Sequence, residues 1–140
     1  MAMTEEERQH VIDTEHLRLL SLFHYISGAL TILFSSMFIL HLGFMAVMFS
    51  MAPAQKDGTM LPFAFMGVFF GLIILAGIAL GIAEILSGRS IARRQKRMLS
   101  MIIAGPGVLM MPFGTILSVM TWVVLSRASV RALYGEPAAT

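Results

Sequence analysis

From Leu61 to Ser87 the chain is apolar except for small residues and one acid, Glu84, and it runs straight into Gly88 and the basic stretch Arg89 to Arg97. As an α-helix this segment would be about 40 Å long, more than the ~30 Å hydrocarbon core of a bilayer requires. A membrane-spanning helix is the direct expectation. Five cations, Arg89, Arg93, Arg94, Lys96 and Arg97, then place its exit on the cytoplasmic side, because short loops kept inside carry the excess of Lys and Arg. The same five are candidates for contact with anionic lipid.

Composition agrees with an integral membrane domain: 57% of the 140 residues are hydrophobic and 13% charged, against about 25% charged in an average soluble domain. Without cysteine there is no disulfide and no thiolate metal site. The net charge of +2 is small, and half of the basic residues fall in one run, so the basic stretch reads as an orientation signal and not as a nucleic-acid surface. The acidic start, with no basic region ahead of an apolar core, argues against a cleaved signal peptide.

Thr4 followed by Glu5, Glu6 and Glu7 marks a helix start with a capping box. Residues 1–18 are expected to form a polar cytoplasmic helix that lies on the membrane surface or leads straight into it, with His10, Asp13, Glu15 and His16 on a solvated face. From Leu19 to Met51 no residue is formally charged, although His24 and His41 interrupt the run. That is longer than one perpendicular span, so the helix tilts or projects. A loop between Ala52 and Met60, carrying Pro53, Asp57 and Gly58, returns the chain on the outer side.

The stretch Met98 to Leu125 contains Gly105-Pro106-Gly107 and Pro112-Phe113-Gly114-Thr115, which break helices. It is either one kinked span or two short helices folded back near Pro112. Arg127 and Arg131 favour the hairpin, since a single span would export both. The fold expected is therefore all-α, a membrane bundle of two long antiparallel spans and a short C-terminal hairpin within residues 19–126. An interfacial tail at 127–140 would put Val130, Leu133 and Tyr134 on its apolar side.

Helical spacing places Ser21, His24, Gly28, Thr31 and Ser35 on one face of the first span and Gly77, Gly81, Glu84 and Gly88 on one face of the second. Small residues at such intervals let backbones approach closely. Counting inward from the charged ends puts His24 and Glu84 at equal depth, predicting a hydrogen bond between them. Such a pair is either structural or a proton or cation relay. Gly67 and Gly71 form a further small-residue pair suited to helix packing.

Thirteen methionines include Met37, Met45 and Met48, which share a face with His41. That set suits Cu(I), and it equally suits adaptable apolar packing. No cofactor motif, P-loop or dinucleotide fingerprint is present, haem ligation by His24 and His41 of one chain is excluded by their separation along the helix, and no nucleophile, base and acid share a depth.

The run Pro112-Phe113-Gly114-Thr115-Ile116-Leu117, continuing through Trp122 and Leu125 to SRASVRALYG, together with HLRLLSLFHYISG near the start, resembles small uncharacterised bacterial inner-membrane proteins with four predicted helices. The resemblance implies the hairpin and carries no activity; with Arg89 to Arg97 inside, the location expected is the bacterial inner membrane with a cytoplasmic N-terminus. The function expected is non-catalytic: a self-associating protein or an accessory subunit of a larger membrane complex, with lipid and other membrane chains as partners. Alternatives are a small proton or cation channel or carrier with a polar path at His24 and Glu84, and a Cu(I)-binding protein.

Overall fold

A computed structural model describes residues 3–51, 60–108 and 113–135. Five helices follow in order: α1 (Glu5–Ser50), α2 (Met60–Ala92), α3 (Arg97–Gly107), α4 (Phe113–Ser126) and α5 (Ala128–Leu133). The outer loop at 52–59, the tip residues Met110, Met111 and Pro112, and the last five residues lie outside the described set.

The capping box opens α1 as expected, with the Thr4 N–H donating to Glu7 Oε2 at 2.9 Å and the Glu7 N–H to Thr4 Oγ1 at 3.3 Å. From there α1 continues without interruption for 46 residues, about 70 Å. The polar N-terminal helix is thus the first part of the same long helix that continues to Ser50. No Pro or Gly stands between Glu5 and Ser27 to stop it.

Antiparallel to α1 runs α2. Glycines set their separation: a Cβ built on Gly28 would lie 2.6 Å from the Gly81 carbonyl oxygen, and one on Gly81 would lie 2.8 Å from that of Gly28. Neither position has room for a side chain without moving backbone. Gly77 sits directly against Ser35, and Gly88 against Ser21 and His24. Further out, Phe38 stacks on Phe70 with ring centroids 6.3 Å apart.

The chain reverses after α2 through Arg94 and Lys96, both left-handed at φ 51°, a conformation costing roughly 1 kcal/mol or more for a residue with a side chain. The hairpin alternative is the one observed. Ser118 Oγ donates to the Ala104 carbonyl at 2.6 Å, Thr115 Oγ1 to Val108 at 2.7 Å, Trp122 Nε1 to Met101 at 2.9 Å, and an Arg97 guanidinium N–H to Leu125 at 2.7 Å. These rungs join α4 to α3 in antiparallel register. Ala104 and Val108 belong to the end of α3, where helix carbonyls lack their usual partners, so α4 hydroxyls supply what water would supply elsewhere. Gly105-Pro106-Gly107 does not precede a break: it forms the last turn of α3, where a missing N–H and a ring cost least because the helix is already ending.

At about 16 and 21 Å, α3 and α4 are too short to accompany α1 and α2 along their length. They pack at one end, α3 against α2 and α4 against α1, with α5 folded onto α4 and α1. The apolar core lies there, made of Leu17, Leu20, Ile91, Val124, Leu125 and Val130, with Leu133 and Tyr134 packed against it. The expected apolar side of the tail is therefore a core face.

Replacing Gly81 by Ala should lower thermal stability in mild detergent by about 1–3 kcal/mol, because its Cβ meets the Gly28 carbonyl. Gly71→Ala, in open space, should change it by no more than the ~1 kcal/mol of intrinsic helix preference. Equal stabilities of the two variants would contradict the contact.

Candidate functional site

Two polar layers lie between the helices. The first is in the middle of the α1–α2 contact. Glu84, 8% exposed, accepts a hydrogen bond from Thr31 Oγ1 at 3.5 Å, with the Ser27 hydroxyl beside it. One turn towards the core, His24 is 1% exposed and its Nδ1 lies 3.0 Å from the Leu20 carbonyl oxygen. A carbonyl only accepts, so Nδ1 carries the hydrogen.

The hydrogen bond expected between His24 and Glu84 is therefore not formed. Both residues sit on the predicted faces and Gly28 meets Gly81, but Thr31 pairs with Glu84 and it is Ser35 that meets Gly77. Side chains on a helix lean towards its own N-terminus. In antiparallel helices that tilt carries the imidazole of α1 and the carboxylate of α2 in opposite directions, and the register adds to it, since His24 lies level with Gly88, one turn of α2 away from Glu84.

The second layer closes the core end. Asp13 is 1% exposed, not solvated as expected. Its Oδ1 accepts from Gln9 Nε2 at 3.1 Å and lies 3.6 Å from the Arg127 guanidinium. Arg127 also meets His16 Nδ1 at 3.4 Å. Arg94 donates to Thr14 Oγ1 at 3.3 Å. Of the five cations expected to face lipid headgroups, Arg94 and Arg97 are thus engaged with the protein, while Arg89, Arg93 and Lys96 are exposed. The spacing that marked the α1 face extends backwards through Leu20, Leu17 and Asp13; sorting Asp13 by charge and not by position hid it, and Ser27 was missed because it stands one residue off the stripe.

The remaining candidates do not converge. Gly67 and Gly71 have nothing within 4 Å of a built Cβ, so neither is a point of close helix contact within the chain. Met37 and Met48 are 67% and 50% exposed. His41 and Met45 line a cleft of about 270 Å³ together with Met66, Gly67 and Phe70, which Met37 and Met48 do not enter. Among the described residues no three His, Asp or Glu side chains gather as a metal site would require.

Comparison with known proteins returns no match: no family model fits the chain, and no curated protein or solved structure is significantly similar to it.

The Asp13–Arg127 contact makes a quantitative demand. Arg127→Gln should destabilise the chain by about 1–3 kcal/mol, below the value for a fully buried pair because Arg127 is part exposed. Adding Asp13→Asn should recover much of that loss by removing the stranded charge. Additive losses in the double-mutant cycle would show the two residues to be uncoupled.

Proposed function

We propose that the chain is a multi-pass membrane protein that works without catalysis, as a self-associating unit or an accessory subunit of a larger membrane assembly. One observation carries this reading: the molecule is polar inside and apolar outside. Among the described residues ten buried side chains are polar or charged, including Asp13, His24 and Glu84, against eight that are apolar. Leu33, Leu40, Phe65 and Leu75 stand 64–76% exposed. α1 and α2 are long and apolar enough to cross a bilayer, with mean hydropathies of 2.1 and 2.5 over their most apolar stretches, of which 0% and 11% is buried. Core helices of a soluble protein would be covered.

Every described Arg and Lys lies at the end where α1 begins and α2 and α4 finish, which supports a cytoplasmic position for that end and for the N-terminus. The non-catalytic part of the reading rests on how the polar side chains are used. Ser21, Thr31, Ser118, Thr115 and Trp122 each bond another helix. Beyond Ser35 on α1 and before Ile74 on α2, no described residue is buried. That bare outer half carries Gly67 and Gly71, whose open backbone lets another helix approach closely.

Mass measurement of the purified chain in mild detergent tests this. A dimer or higher species is expected, with Gly71→Ile weakening association by about tenfold or more, ~1.4 kcal/mol, while helix content stays unchanged. A strict monomer that captures no membrane-protein partner would contradict the proposal.

A further inference from the structure

Glu84 has no basic partner among the described residues. Among the described residues its carboxylate meets only the hydroxyls of Thr31 and Ser27. Arg94, nearer the charged end, is turned to Thr14, Arg89 and Arg93 are exposed, and the His24 ring is bonded to its own helix. On the membrane reading above, an ionised carboxylate this buried costs several kcal/mol unless a charge of opposite sign accompanies it. No side chain supplies one.

What the layer does supply is oxygen. Besides the carboxylate and two hydroxyls, the Gly28 and Gly81 carbonyls face the opposite helix within one turn of Glu84. Oxygen donors select hard cations over soft ones. Glu84 is the one acid in α2, and α1 carries none beyond Glu15, so the site balances one positive charge and not two. We propose that Glu84, with Ser27 and Thr31, is an exchangeable binding site for one monovalent cation, a proton or Na⁺. The close α1–α2 contact that builds the layer also seals it from lipid.

The test is infrared difference spectroscopy of the full chain in liposomes, with Glu84→Gln identifying the band. Gln keeps both hydroxyl contacts and should fold. The expected result is a carboxylic-acid carbonyl band that is lost reversibly between about pH 5 and about pH 9 and is absent in Glu84→Gln. Loss of the band on adding NaCl at fixed pH, but not choline chloride, identifies Na⁺ as a ligand; indifference to both salts leaves the proton as the cation. Thr31→Val should move the half-conversion point by about tenfold. A Glu84 carboxyl that answers to neither pH nor Na⁺ across that range overturns the site. Flotation of the same liposomes reads the membrane assignment separately: protein that does not float contradicts that reading, whereas an unresponsive Glu84 in floated protein contradicts this one.

Discussion

The backbone contact between α1 and α2 governs the rest of the structure. On the membrane reading proposed above, lipid gives the apolar helices no hydrophobic reason to associate, and single hydrogen bonds between spans average only ~0.6 kcal/mol. Ser21 to Gly88 and Thr31 to Glu84 therefore hold the pair less firmly than close packing does. Close packing in turn needs positions without a Cβ, which Gly28, Gly81, Gly77 and Gly88 provide. The same proximity brings Ser27 and Thr31 to Glu84, so the buried acid follows from the glycines.

The two ends of the long pair are treated differently. At the charged end, α3, α4 and α5 wrap α1 and α2, and Leu17, Leu20, Ile91, Leu125 and Val130 make a core that would suit a soluble protein. Asp13, Arg127 and His16 pin the N-terminal turns of α1 to the start of α5. The outer half has no such cover. Residues such as Phe34, Leu40, Phe65 and Leu72 stay exposed by 61–76%, a surface suited to lipid or another helix. The hairpin's short length decides this division.

Much of the architecture was legible because it rests on period and charge. The stripes on α1 and α2 follow from spacing, the hairpin from the cost of exporting Arg127 and Arg131, and the start of α1 from Thr4 and Glu7. The pairing of His24 was not legible because spacing gives the face of a helix but not its register against a neighbour. Counting from the charged ends puts His24 level with Glu84, whereas it lies level with Gly88, one turn away. Asp13 shows a different limit, since its partner Arg127 lies more than a hundred residues away and nothing local announces it. The sharp turn at Arg94 and Lys96, made without glycine, likewise has no sequence marker.

Disulfide trapping in native membranes addresses the central contact most directly, since the chain has no cysteine of its own. A Cβ on Gly77 would lie 3.1 Å from that of Ser35, close to the range a disulfide spans. The double variant Ser35→Cys with Gly77→Cys should cross-link within one chain nearly to completion under mild oxidation, and Thr31→Cys with Gly77→Cys, the pairing of the shifted register, far less. Cross-linking of the second pair in preference to the first, or of neither, would contradict the account.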